Sequence, residues 1–291
     1  MLSLVLPKGS LELATLELFD AADLTVRRSS DRDYHASVDD PRIERVRFLR
    51  PQEIPSYLER GLFDLGITGR DWITETGAEV ASLGELKYSK STTDPVRVVL
   101  AVPENAPWRS VTDLPDGVRI STELPATTGR YLEANGVKAM VIPSHGATEA
   151  KVPDIVDAIV DLTETGSSLR RNGLRILDTL LTSYTELVAN TDAYADTGKR
   201  AAMEDIALLL QGAIRARGNV LLKLNVPTAC LQAVTRMLPA MSSPTITALA
   251  RGDMSAVETV VPKDGVNTLI PALKTAGARD ILELPISKIV E

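Results

Sequence analysis

Short apolar runs, turn residues and helical stretches alternate at the start of this chain, and that alternation constrains its fold more than any other feature. Leu2-Ser3-Leu4-Val5-Leu6 reads as a buried strand. The turn Pro7-Lys8-Gly9-Ser10 leads into a stretch where Leu11, Thr15, Leu18 and Phe19 share one helical face. Ser10 stands where it can cap that helix, and Leu13 leaves no capping box. Residues 27–42 are charged with few apolar anchors, a loop or irregular hairpin. A short strand over 46–49 precedes Pro51-Gln52-Glu53-Ile54-Pro55, which starts a helix running to Arg60 with Gly61 as its C-cap. Residues 63–68 form the next buried strand, and Gly69-Arg70-Asp71 opens another helix. Strand, turn, helix repeated in this way implies an α/β domain with a largely parallel sheet. Ligands on such sheets lie beyond the carboxyl ends of the strands, where Pro7-Lys8-Gly9 and Gly69-Arg70-Asp71 both fall.

A second α/β unit begins near residues 96–102, a β-rich run ended by Pro103. Turn residues 113–117 lead to a strand over 118–122, a helix over 127–135 closed by Asn135-Gly136, and strands over 138–142 and 155–162. Residues 175–189 alternate between apolar and polar and are expected to return to the first unit. The pattern over 199–217 is one helix, with Ala202, Ile206, Leu209, Leu210, Ala213 and Ile214 on one face. Strands over 219–226, 245–249, 254–261 and 281–286, with helices over 227–237 and 266–275, then give the ferredoxin-like order βαββαβ.

Composition narrows the function. A chain of 291 residues suggests two domains or three small ones and buries a core without staples. A net charge of −7 argues against a dedicated nucleic-acid binder or a protein of anionic membranes. Aromatic residues at 4% are too few for a single-strand stacking platform. Cys230 is the only cysteine, so no internal disulfide framework exists, and no secretory signal opens the sequence; a cytoplasmic protein is expected. His35 and His145 stand apart from each other and from Cys230, which excludes a zinc cluster. No apolar run approaches a membrane span.

The chemistry concentrates in residues 156–169. A buried strand ends in Asp161, and a small hydroxyl-rich bend follows: Thr163-Glu164-Thr165-Gly166-Ser167-Ser168. Such a bend can turn N–H groups and hydroxyls into one concavity for a phosphate monoester, while the carboxylate accepts from ribose hydroxyls. The other reading is a plain strand–turn–helix junction, with Thr165 or Ser167 as N-cap and Asp161 solvated. Lys8 has the ordinary reading of a solvated lysine, Gly69 of a backbone-shape glycine, Arg70 of a surface cation, and Glu149 of a helix-start carboxylate. His145 is a weak candidate for a base, and Cys230 reads as packing on the last domain.

Residues 157–162, the Thr165-Gly166 pair, Leu169 and Asn172-Gly173-Leu174 resemble the signature of the ATP phosphoribosyltransferase family, which opens histidine biosynthesis. Pro7-Lys8-Gly9, residues 64–71, Gly146-Ala147-Thr148-Glu149, Ser243-Pro244-Thr245-Ile246 and Leu284-Pro285-Ile286 resemble further family segments in the right order. The resemblance is to the long form and implies two periplasmic-binding-protein-like lobes plus a C-terminal ferredoxin-like regulatory domain. It places lobe I at 1–92, completed by 181–212, lobe II at 93–180, and the regulatory domain at 213–291. It implies transfer of the phosphoribosyl group of phosphoribosyl pyrophosphate to N1 of ATP with Mg²⁺, and inhibition by histidine. AMP as a further ligand and a homo-oligomer, dimer or hexamer, also follow from it.

Carried over residue by residue, the resemblance gives Asp161 and Glu149 the ribose hydroxyls and contact with Mg²⁺, direct or through water. Thr165, Gly166, Ser167 and Ser168 wrap the 5-phosphate, Lys8 and Gly9 face the pyrophosphate or ATP phosphates, and Gly69, Arg70 and Asp71 form the far wall. Asn225, Met241, Thr245, Val260 and Asp280 match the histidine site. Ser10 stands where the family often has arginine, with Arg50 or Arg70 expected to compensate; Ser168 replaces a usual threonine; the 151–154 stretch is one residue short; and Asn225 replaces an acid found in some relatives. A non-enzymatic two-lobe binding module and a phosphoribosyltransferase for another base remain as alternatives. Calorimetry with phosphoribosyl pyrophosphate and free amino acids separates the first from an enzyme.

Overall fold

The structure is a computed structural model that describes residues 1–88, 95–239, 243–250 and 252–290. The chain divides into two compact units, Met1–Asp20 with Leu24–Ala207, and Ala21–Asp23 with Leu208–Glu291. The first unit holds two sheets, and therefore two lobes.

Lobe I is built from β1 (Leu2–Pro7), α1 (Glu12–Ala21), β2 (Val26–Arg27), β3 (His35–Val38), β4 (Ile43–Leu49), α2 (Ile54–Glu59), β5 (Leu65–Gly69), α3 (Arg70–Thr76) and β6 (Val80–Leu86). β1 lies between β4 and β5 and is parallel to both. Its six residues are all buried, as a strand covered on both faces must be. The charged stretch read as a loop or irregular hairpin forms the hairpin β2–β3, which extends the sheet beyond β4. β6 has no counterpart in the sequence reading; Val80-Ala81-Ser82-Leu83-Gly84-Glu85-Leu86 mixes polar and small residues and gives a weak strand signal.

Lobe II contains β7 (Val96–Pro103), β8 (Val118–Thr122), α4 (Pro125–Ala134), β9 (Ala139–Pro143), β10 (Ala158–Thr163), α5 (Ser167–Arg171) and β11 (Leu174–Ser183), in the order β11-β7-β10-β8-β9. β8 pairs in parallel with β9 and β10, while β7 runs antiparallel to β10 and β11. The chain then returns as expected: β12 (Thr185–Asn190) inserts antiparallel between β5 and β6 of lobe I. α6 (Thr191–Ala195) and the long helix α7 (Thr197–Ala216) follow.

Asp64, just before β5, ties this frame together. Its carboxylate accepts from the Ser3 N–H and hydroxyl, each at 2.7 Å, and from Lys199 of α7 at 2.7 Å. Burial pushes its carboxyl upward, but Lys199 and the Ser3 donors outweigh that and hold it below the usual range.

The second unit carries β13 (Asn219–Pro227), α8 (Leu231–Met237), β14 (Thr245–Ala248), β15 (Met254–Pro262), α9 (Val266–Thr275) and β16 (Arg279–Pro285). Its sheet order is β14-β15-β13-β16, all neighbours antiparallel, which is the ferredoxin-like arrangement expected. Strict alternation along β13 buries Val220, Leu222, Leu224 and Val226 against Val234, Val266 and Leu273 of the helices. The helix expected over 227–237 opens as a tighter 3-10 turn at Thr228–Cys230 before α8.

The depressed carboxyl of Asp64 sets a sign for acid sensitivity. Its contribution is present above the unfolded-state value of about 3.9 and fades as pH falls through its lower folded value. Asp64→Ala is therefore expected to destabilise the first unit by about 2–3 kcal/mol at neutral pH. Urea titrations at pH 7 and pH 3 should show that penalty shrinking in acid; an equal penalty at both values contradicts the assignment.

Candidate active site

In lobe II the parallel pair β8 and β10 sets the first part of the site. Ser121 lies opposite Ile159 and Thr122 opposite Val160, so Ser121, Glu123 and Asp161 share one face at the carboxyl ends of these strands. Burial drives the Asp161 carboxyl up to about 6, and the negative charges of Glu149 and Glu123 push the same way. The Leu162 N–H, bonded to Asp161 Oδ1 at 2.7 Å, and the Lys151 ammonium act against that rise.

Glu149 stands on the 3-10 turn Thr148–Lys151, and its Oε1 accepts from the Ser168 hydroxyl at 2.7 Å. This joins the Glu149 segment directly to the hydroxyl-rich bend. Lys151 Nζ donates to Ser144 Oγ at 2.5 Å and to Ser121 Oγ at 3.4 Å, and Ser144 shares a 2.8 Å hydrogen bond with Thr148. Lys151 and these hydroxyls thus tie the 3-10 turn that carries Glu149 to β8 and to the end of β9.

The bend closes on Thr163, whose Oγ1 accepts from the Gly166 N–H at 2.8 Å. Gly166 adopts φ 72°, a left-handed conformation that glycine takes without steric cost. Gly166 is also the N-cap of α5 and offers no side-chain cap, so neither Thr165 nor Ser167 has the capping role of the plain-junction reading. Their hydroxyls bond to each other at 3.1 Å and both residues are exposed. Thr165 and Ser167 face solvent, while Gly166 between them is buried.

Lobe I supplies a second wall at the β5–α3 junction. A Cβ on Gly69 would lie 2.0 Å from Asp71 Oδ1, so any side chain there would displace the Asp71 carboxylate. Asp71 is 4% exposed. Its backbone N–H donates to Ser183 Oγ at 3.0 Å, and the same hydroxyl donates back to Asp71 Oδ1 at 2.7 Å. Burial raises the Asp71 carboxyl above its ordinary value. Arg70 is held inside lobe I, its Nε on Glu186 at 2.5 Å and its guanidinium 3.4 Å from Glu85. Lys8 donates to Glu12 at 3.2 Å and to the Asp31 carbonyl at 2.7 Å, and lies over the Tyr34 ring. Gly9 donates its N–H to Glu12 at 3.2 Å and has φ 93°. Arg28 meets the same Glu12 oxygen as Lys8 at 2.6 Å, so this carboxylate gathers two cations beside the first turn.

Between the lobes lies a cavity of about 320 Å³. Gly69, Asp71 and Ser10 line it from lobe I, Thr163 and Glu164 from lobe II, and Leu11, Trp72, Tyr88 and Leu162 give it apolar walls. Thr163 and Glu164 continue directly from Asp161 and into the bend at 165–168, so the cavity and the cradle adjoin. Asp161, Glu149, Lys8 and residues 165–168 do not line the cavity itself. Among the described residues, no group of three or more His, Cys, Asp and Glu side chains is placed to hold a metal ion.

In the second unit Asn225 Nδ2 donates to Asp280 Oδ2 at 2.8 Å. Pairing of β13 with β15 and of β15 with β14 puts Asn225, Val260 and Thr245 on the face opposite the helices. Met241 lies outside the described residues.

Sequence reasoning missed Glu123, Lys151, Ser183 and Glu186. Glu123 follows the carboxyl end of a parallel strand, and that position alone marks it as a candidate. Lys151 carries a signal in its two-residue distance from Glu149. Ser183 and Glu186 meet Asp71 and Arg70 across more than a hundred residues, and nothing local announces them.

The family model described as "HisG: ATP phosphoribosyltransferase" matches residues 50–212, and that of the HisG C-terminal domain matches residues 216–288. An ATP phosphoribosyltransferase of Chlorobium phaeovibrioides is 50% identical over 291 residues, covering 100% of this chain and 98% of that protein. One from Pelotomaculum thermopropionicum is also 50% identical, covering 99% of each. Among solved structures, a chain of the ATP phosphoribosyl transferase (HisG:HisZ) complex from Thermotoga maritima matches with a TM-score of 0.61 and 30% identity, over 72% of this chain and 97% of that one. Both units fall within these matches, and this chain belongs to the HisG family of ATP phosphoribosyltransferases.

Proposed function

We propose that the first unit transfers the phosphoribosyl group of phosphoribosyl pyrophosphate to N1 of ATP and releases pyrophosphate, the first step of histidine biosynthesis. The observation that carries the site assignment is the Asp161–Glu149–Ser168 constellation at the hydroxyl-rich bend. In this reading Asp161 and Glu149 accept from the two ribose hydroxyls. Displacement at the sugar C1 develops positive charge on the ring, and the carboxylates stabilise it at short range. The hydroxyls of Thr165, Ser167 and Ser168 and the bend at Gly166 receive the 5-phosphate. Adenine N1 already carries its lone pair, so the site has to orient the ring and needs no strong base. The apolar-walled cavity ending at Gly69 and Asp71 suits the nucleotide, and Arg70 holds that wall through Glu186. AMP, which has the same base and sugar, would compete there. Lys8 would exchange the Asp31 carbonyl for a pyrophosphate oxygen, with Gly9 at its side.

Asp161 and Glu149, two hard carboxylates placed closely enough to repel each other, would hold a Mg²⁺ ion. When bound, it would neutralise charge on the departing pyrophosphate. Histidine would bind on the open face of the second unit's sheet, where Asp280 supplies the acid that Asn225 lacks and Thr245 and Val260 flank it. Met241 belongs to the same proposal from sequence. A homo-oligomer, dimer or hexamer, and a cytoplasmic setting with its supply of ATP complete the reading.

Pyrophosphate release, followed with and without histidine, tests this. The purified chain should release pyrophosphate only when ATP, phosphoribosyl pyrophosphate and Mg²⁺ are all present, and histidine should slow it. A folded preparation that turns nothing over rejects the proposal. Asp161→Ala should lower kcat/KM at least roughly tenfold, about 1.4 kcal/mol; unchanged kinetics would remove the role given to that carboxylate. Asp161 also titrates above its unfolded value of about 3.9, so its ionised form costs stability at neutral pH and the cost disappears below about pH 4. In metal-free buffer at pH 7, Asp161→Asn should raise Tm by roughly 2–4 °C, the response of a domain this size to about 1 kcal/mol. Calorimetric scans at pH 7 and pH 4 check that the gain shrinks in acid.

A further inference from the structure

α4 of lobe II begins Leu124-Pro125-Ala126-Thr127, and Leu124 at its N-cap has no side-chain acceptor. The first-turn N–H groups of a helix need partners from elsewhere when the N-cap supplies none. Here they find them in lobe I. The Ala126 N–H donates to Glu75 Oε1 at 2.8 Å and the Thr127 N–H to Glu75 Oε2 at 2.7 Å. Glu75 lies in the last turn of α3. The same contact is closed in the other direction by Arg130 of α4, whose guanidinium donates to the Thr74 carbonyl and, at 3.3 Å, to Thr127 Oγ1.

α3 therefore touches both lobes along its length. At its start, the Arg70 N–H bonds the Tyr184 carbonyl at 2.9 Å, and Asp71 is locked to Ser183. In its middle, Ile73 packs on a lobe I core cluster, while Trp72 packs on the lobe II core and lines the cavity. At its end, Glu75 caps a lobe II helix. A carboxylate at a helix N-terminus gains from two charge-assisted hydrogen bonds and from the helix dipole. The bidentate geometry also fixes direction, which a single flexible ion pair does not.

We propose that Glu75 is a positioning residue for the transfer reaction: by capping α4 from the opposite lobe, it sets the separation between the Gly69–Asp71 wall and the Asp161 cradle. This rests on the cleft between the lobes being the place of reaction. Without the cap, the free enzyme samples wider openings, and both substrates must spend binding energy on closing it. Residues that contact the reacting atoms are left in place, so the deficit falls on binding more than on turnover.

The test uses the whole chain with Cys230→Ala and spin labels on Leu13→Cys and Met140→Cys, both exposed positions, one on each lobe. Glu75→Ala should lengthen and broaden the label-to-label distances in the free enzyme. It should raise KM for ATP and for phosphoribosyl pyrophosphate together, each about fivefold to tenfold, with kcat within threefold. Glu75→Gln keeps one acceptor and should give an intermediate effect on both readouts; it also serves if the alanine variant does not fold. Unchanged distances, a KM rise for one substrate alone, or a loss of kcat with both KM values intact would overturn the proposal. If the parent protein turns nothing over, the reaction assignment fails, and the distance measurement still decides whether Glu75 sets the lobe separation.

Discussion

The buried hydrogen-bond pair between Asp71 and Ser183 is the constraint on which the rest of the first unit depends. Ser183 is the last residue of the lobe II strand β11, and Tyr184 joins it to β12 of lobe I. Asp71 lies in the first turn of α3, which follows β5 directly. One hydroxyl both donates to the carboxylate and accepts from its backbone N–H, so the crossing point of the two lobes is fixed to the end of a central strand. A buried carboxylate that lost this partner would carry an unpaid desolvation penalty, which makes the arrangement strongly specified. Gly69 follows from it, because any side chain there would occupy the position of Asp71 Oδ1.

The cradle in lobe II shows the opposite economy. Asp161, Glu123 and Glu149 crowd like charges at one sheet end, relieved in part by Lys151 and a set of buried hydroxyls. A region built only for stability would avoid such crowding. Functional sites are where local rules of stability are expected to be broken, and under the proposed reaction a sugar developing positive charge would gain from this crowding. Asp64 provides the contrast within the same unit: a carboxylate supplied with Ser3 and Lys199, held low, and turned toward the frame.

Much of the fold was legible because its signals are local. β1, β7, β8 and β13 are apolar runs or clean alternations bounded by Pro, Gly and Asp, and α9 matches its predicted span of 266–275 residue for residue. The hairpin β2–β3 and strand β6 were less legible, since their residues are polar or small and become strands by pairing with β4 and β12. The site divided in the same way. The spacing from Asp161 through Ser168 marked the hydroxyl-rich bend as the candidate site, and the structure joins Glu149 to that bend through Ser168. Arg70 was expected on the far wall, with a surface cation as its ordinary reading. Its engagement by Glu186 and Glu85 was invisible, because those carboxylates come from other strands of the sheet.

The amino-acid sequence by itself determined the element types, the three-part architecture and the family, because periodicity, turn chemistry and motif order are all written in neighbouring residues. Tertiary structure alone decided which charges are paired, how far Asp161 departs from an ordinary carboxyl, and how the two lobes are joined. Those outcomes depend on burial and on partners far away in the chain, such as Asp71 with Ser183 and Glu75 with the start of α4. Electrostatic and hydrogen-bond energies vary steeply with distance and solvent exposure, and a linear sequence specifies neither until the chain has folded.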